Sequence, residues 1–246
     1  MTLAPEFRAF IDESNTPLFK LGRDDSQRPY VTGCAIIPSE DQLPVRMAIP
    51  ESPITGERLK SSSREMNDSA AAEFIASVLA TQVEVAIVGI DAGDSGNIAG
   101  AANLTVKANI LRKDQKRPPI STANAMYLLA AWEALLRSVE SFYLRNAVFP
   151  SPLEVVFDQA NLKAEESEFV SWALKDVCAK RGLIIGSVSW SLEQDEPLLL
   201  VPDIFSGVLR RQATHGDLPL AWDVIQLAIQ TKRIVYRDGI AAPVIV

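Results

Sequence analysis

The run Phe7-Arg8-Ala9-Phe10-Ile11, closed by Asp12-Glu13-Ser14-Asn15, constrains the fold of this chain more than any other stretch. Strand alternation puts Arg8, Phe10, Asp12 and Ser14 on one face, and Phe7, Ala9, Ile11 and Glu13 on the other. Both faces are mostly apolar up to Asp12, which predicts a strand covered on both sides. The polar cluster stops the strand and exposes its end. An ordinary Asp/Ser/Asn turn would read the same way.

A second run, Leu153-Glu154-Val155-Val156-Phe157, ends in Asp158. If the two strands are adjacent and parallel, Asp12 and Asp158 lie close together. Like charges at that separation need a bound cation or a raised pKa. Carboxylate oxygens suit Mg²⁺ or Mn²⁺. A third acid, Asp203, follows Pro202 and is expected in the first turn of a helix. An acid there also complements the helix dipole with no further role. Asp203, Gly207 and Arg210 share one helical stripe, and Gly207 would let that helix approach the sheet closely.

Around these acids the pattern predicts strands over Tyr30–Ile37, Val83–Ile90 and Leu183–Leu192. Helices are expected from Asp68 or Ser69 to about Gln82, over Ser121–Asn146, Glu165–Arg181 and Asp203–Arg211, and over Ala221–Thr231. Residues 91–103 read as a Gly/Asp/Ser loop, Glu193–Leu198 as a turn, and Ile234–Tyr236 and Val244–Val246 as parts of a tail. The expectation is one α/β domain over residues 1–246, with a mixed five-stranded sheet flanked by helices. It would carry a long insertion loop at about 38–67 and a C-terminal extension after about 212.

Several chemistries are disfavoured. Gly93-Asp94-Ser95-Gly96 resembles a serine-protease nucleophile loop, but the lone histidine, His215, sits in a polar turn with no triad context. One histidine and two separated cysteines argue against a zinc site. A net charge of −7 argues against broad, non-specific nucleic-acid binding, although a local basic groove is compatible with it. Cys34 and Cys178 lie in apolar contexts and read as buried free thiols, so a cytoplasmic setting is expected. No apolar run approaches a membrane span, and no membrane partner is expected.

Four segments in order resemble the bacterial and phage family called domain of unknown function 3800. They are Phe10–Asn15, Glu57-Arg58-Leu59-Lys60, Val155–Lys163 and Leu199–Gly207. The resemblance spans about Phe7 to Arg211 and implies a ribonuclease H-like fold with an acidic metal centre. It implies Asp12, Asp158 and Asp203 as ligands of Mg or Mn, with Glu13 beside them and Glu57 and Lys60 as further site residues. Asn15 stands where the family has Gly, Leu200 where Gln is usual and Pro202 where Ala is usual. The expected function is a metal-dependent nuclease or phosphodiester hydrolase, with nucleic acid as partner. Lys60, Lys107, Arg112 and Lys113 are candidates for backbone contacts. The alternative is an inactive interaction protein on the same fold, acting through a protein partner or a homo-oligomer.

Overall fold

In the computed structural model the described residues are 6–14, 30–63, 65–90, 95–114, 116, 119–158 and 164–238. Asn15, residues 91–94, residues 159–163 and the stretch Val244–Val246 lie outside them.

Strand β1 (Phe7–Ser14) pairs antiparallel with β2 (Tyr30–Pro38), and β2 pairs antiparallel with β3 (Glu84–Ile90). On its other side β1 pairs in parallel with β4 (Leu153–Asp158), in register from Phe7↔Leu153 to Ile11↔Phe157. The expected adjacency of these two strands is therefore observed. Strand β5 (Ile185–Ser191) continues the sheet parallel to β4, and β6 (Ile234–Asp238) lies parallel to β3 at the opposite edge. The sheet has six strands in the order β5-β4-β1-β2-β3-β6, one more than expected. The extra strand is the segment read as tail. Its apolar run is short, and only pairing with β3 makes it regular.

Seven α-helices are present among the described residues: α1 (Ser39–Ala48), α2 (Asp68–Leu79), α3 (Ser95–Asp114), α4 (Thr122–Asn146), α5 (Ala164–Ala179), α6 (Leu200–His215) and α7 (Pro219–Gln230). Strand alternation divides the core. Phe7, Ala9, Ile11, Val155 and Phe157 face the layer containing α3, α4 and α5. Phe10, Ala35, Ile87 and Val156 face the layer containing α1, α2, α6 and α7. Phe10 is fully buried, and burial of such a side chain contributes about 1.5–3 kcal/mol. Asp12 and Asp158 follow Phe10 and Val156 by two residues, so both lie on the α6 side of the sheet.

Three local readings change. Residues 39–48 are helical, although the segment from Pro38 to Asn67 reads as loop. Pro44 lies inside α1, where proline removes a backbone donor, and Val45 is its buried residue. Residues 95–103 are helical too, and only 91–94 lie outside the described set. The cap of α2 is Asn67, whose side chain accepts from the Ala70 N–H at 2.9 Å. Asp68 instead accepts from the Leu220 and Ala221 N–H groups, both at 2.9 Å, at the start of α7.

Among the described residues no helix is long and apolar enough to cross a membrane. Cys34 and Cys178 are buried and unpaired, and burial pushes each thiol up to about 12.

Candidate metal centre

Three elements converge on the α6 side of the sheet. Strand β1 delivers Asp12 beyond its last parallel pair with β4. The turn after β5 delivers Glu193, and the first turn of α6 delivers Asp203. One carboxylate oxygen from each lies within 4.8 Å of those of the other two. Asp12 and Asp203 are buried, and Glu193 is half-buried.

A glycine makes this convergence possible. Gly33 on β2 is the register partner of Asp12. A Cβ at Gly33 would stand 2.7 Å from the Pro202 carbonyl oxygen and 3.1 Å from its Cα. The missing side chain lets the first turn of α6 rest on the sheet beside Asp12, one residue before Asp203. Gly207 has a different role from the one expected. A Cβ there would overlap the Ser61 side chain, so Gly207 admits the Ser61 loop and not the sheet.

Asp203 does not cap its own helix. Its two oxygens accept from the Ser61 N–H and the Ser61 hydroxyl, each at 2.7 Å. Arg211, two turns along α6, donates to the carbonyls of Ser61 and Met66 at 3.2 and 3.1 Å. The segment carrying Lys60 and Ser61 is thereby pinned along α6.

The electrostatics follow from burial. The Asp12 carboxyl is held well above its usual range, first by desolvation and then by the charges of Asp203, Glu13 and Asp158; the Glu13 N–H, donating to Asp12 Oδ1 at 2.7 Å, opposes this. Glu13 faces the opposite layer with Ile11. Desolvation and the Asp158 charge push it up to about 8, against a hydrogen bond with Tyr127. Asp203 is raised by burial, and its bonds to Ser61 and the charges of Lys60 and Arg210 offset part of the rise.

Asp12 and Asp203 are thus brought together as expected. Asp158 is half-buried at the end of β4, where its charge reaches Asp12 and Glu13, but the compact trio contains Glu193 in its place. In the sequence Glu193 reads only as a turn residue. A signal is nonetheless present: it follows β5 closely, much as Asp12 and Asp158 end their strands. Lys60 is at the centre, with its ammonium paired to Glu193. Glu57 is exposed and lines a cleft of about 350 Å³ together with Arg58, Lys60 and Glu193.

The basic residues of α3 are placed differently. Helix α3 belongs to the layer on the other face of the sheet from Asp12. Arg112 is buried with its guanidinium 5.5 Å from the centre of the Phe169 ring, so it does not present a surface charge. Lys107 lines an apolar cavity of about 360 Å³ with Trp132, Phe169 and Trp172. His215 ends α6 in an exposed position before Gly216, which takes a left-handed φ of 66°.

The close approach at Gly33 gives a direct expectation. Gly33→Ala must push α6 away from Asp12, at a cost of about 1–3 kcal/mol. Urea unfolding should show a lower midpoint, and any Mn²⁺-induced stabilisation should shrink with it. An unchanged midpoint and an unchanged Mn²⁺ response would refute this role for the glycine.

The donor set fits a hard divalent cation. All three groups are carboxylates, a lysine ammonium already stands in as counter-charge, and the buried acids carry raised pKa values that a cation would relieve. No family profile matches this chain, and no curated protein matches it.

Proposed function

We propose that this chain is a metal-dependent phosphodiester hydrolase acting on nucleic acid, on a ribonuclease H-like fold. One observation carries the reading: carboxylate oxygens of Asp12, Glu193 and Asp203, from three separate elements, lie within 4.8 Å of one another. Bringing buried acids together disfavours the folded state unless something offsets their repulsion. A bound Mg²⁺ or Mn²⁺ would do so, and would polarise a phosphate and lower the pKa of a bound water. The β1–β3 meander with β4 and β5 parallel on its other side supports this reading, as do the four segments resembling domain of unknown function 3800.

The protein's own groups divide the remaining work. Asp12 comes from a strand paired on both sides. Asp203 is held in one orientation by Ser61. Asp158 adds a fourth carboxylate on the β4 side, at the end of its strand. Arg58 and Lys60, at the neighbouring cleft, supply positive charge for phosphate oxygens. These two replace the α3 cluster as the backbone contacts.

One observation favours the inactive interaction protein as a second reading. Both Asp203 oxygens already accept hydrogen bonds from Ser61, as they would in a purely structural role.

Incubation with single- and double-stranded DNA and RNA distinguishes the two. Cleavage of at least one substrate is expected with Mn²⁺ or Mg²⁺, none with chelator, and background rates for Asp12→Asn. Equal rates for wild type and Asp12→Asn would refute the hydrolase reading.

A further inference from the structure

Lys60 is bonded in an unusual place for a residue expected to meet substrate. Its side chain is about half exposed, at 55% accessibility, yet its ammonium reaches inward to Glu193, whose side chain is only 11% exposed. Glu193 belongs to the trio with Asp12 and Asp203, and the Lys60 charge also acts on Asp203. The ammonium is therefore paired with a carboxylate that a divalent cation would need. The backbone beside it cannot drift, because Ser61 is bonded to Asp203 and its carbonyl to Arg211. The four-carbon side chain can swing while its anchor stays fixed. The cleft of about 350 Å³ that Lys60 lines with Arg58 also has Glu51, Glu57 and Glu193 on its walls, so the ammonium can turn from Glu193 toward Arg58 without leaving it.

We propose that Lys60 is an exchangeable counter-cation of the acidic centre. Without metal, its ammonium neutralises Glu193 and holds the trio together. In the metal-loaded protein the Lys60 ammonium would leave Glu193 and turn toward Arg58, where it would meet a phosphate oxygen of the substrate. This inference rests on the metal-centre reading above and adds regulation of that site. The Lys60 share of the phosphate-binding charge would be presented only when metal is loaded. By linkage, a phosphate group in the cleft would favour metal binding to the same extent.

The proposal sets a competition between a tethered cation and a free one. Removing the tether should tighten metal binding, whereas removing an ordinary supporting residue should weaken it. Mn²⁺ titration calorimetry on the full chain reads the difference. At pH 8.5 protons compete less for the acids than at neutral pH, which lessens the effect of removing the Lys60 charge that lowers the Asp203 pKa. Lys60→Gln is expected to tighten Mn²⁺ about fivefold or more, and Lys60→Arg to bind as wild type does. Amine labelling followed by mass spectrometry should show Lys60 becoming more reactive when Mn²⁺ is added, with Lys232, exposed in the turn after α7, unchanged. Circular dichroism confirms that each variant is folded.

Binding of Mn²⁺ by Lys60→Gln but not by wild type would overturn the exchange, because the cation would then be unable to displace the native ammonium. Equal affinity in wild type and Lys60→Gln, or weaker binding by Lys60→Gln, would overturn the exchange and leave the metal centre standing. No Mn²⁺ binding by either protein would overturn both.

Discussion

Asp12→Asn should make the metal-free protein more stable and abolish its response to Mn²⁺. Asp12 is only 3% exposed and lies among other acids, and its carboxyl is held well above the usual range. Near neutral pH the wild type must either keep a proton on that carboxyl or bear a repelled charge, and both disfavour folding. The amide that replaces it carries no charge, and its oxygen can keep the bond from the Glu13 N–H. A gain of about 1–2 kcal/mol is expected for the apo protein, roughly 2–8 °C in Tm for a chain of this size. Wild type should gain about 2.7 kcal/mol from Mn²⁺ at one hundred times its Kd, because the ion binds only the folded state. The variant should gain nothing. Thermal melts with chelator and with millimolar Mn²⁺ measure both effects, and an apo variant melting clearly below wild type would contradict the electrostatic account.

The second large effect is a change in pH dependence on metal binding. Glu13 has a folded-state pKa of about 8 against an ordinary value of 4.5, and Asp12 and Asp203 are raised in the same direction. A raised folded pKa means that the folded state binds the proton more tightly. The resulting stability is fully present below the unfolded value and is lost as pH rises through the folded one. The apo protein should therefore lose stability from pH 5 to 8.5, on the order of a few kcal/mol and about 5–10 °C in Tm.

Other groups do not reverse that slope. Glu84 is raised by burial, against a hydrogen bond from Ser141 and the charge of Arg145, and it contributes in the same direction. Asp217 is lowered by its bond to Arg211, so its contribution is lost only at more acid pH. The two thiols stay protonated throughout. With Mn²⁺ the trio must ionise, so binding releases protons and tightens as pH rises. The Mn²⁺-induced increment in Tm should be larger at pH 8.5 than at pH 5.5. Glu84, in a separate network at the start of β3, supplies a slope that Mn²⁺ leaves unchanged. An increment independent of pH would contradict the assignment of these carboxylates.

The central strands were legible because their letters serve one environment. A strand covered on both faces must be apolar throughout, so the acid that ends β1 or β4 stands out, and their parallel pairing follows. Strand β5 hid its acid because it lies at an edge. Its Gly186, Ser187, Ser189 and Ser191 do not form an apolar run, and Glu193 beyond them looks like any turn residue. The same loss of contrast concealed α1 and α3. Helix α1 carries an internal proline and buries little besides Val45. Helix α3 opens with Ser95-Gly96-Asn97, and small residues such as Ala101 and Ala108 supply much of its buried surface. The roles of Gly33 and Ser61 depend on contacts between residues far apart in the chain, Gly33 with Pro202 and Ser61 with Asp203. Local spacing cannot reveal such contacts.

The most direct test is a crystal of the wild-type chain soaked in Mn²⁺ at pH 8.5, with an anomalous difference map. The account predicts a peak about 2.1 Å from carboxylate oxygens of Asp12, Glu193 and Asp203, with the Lys60 ammonium moved off Glu193. A map with no peak among these three carboxylates, at a concentration that saturates other Mn²⁺ proteins, would contradict it.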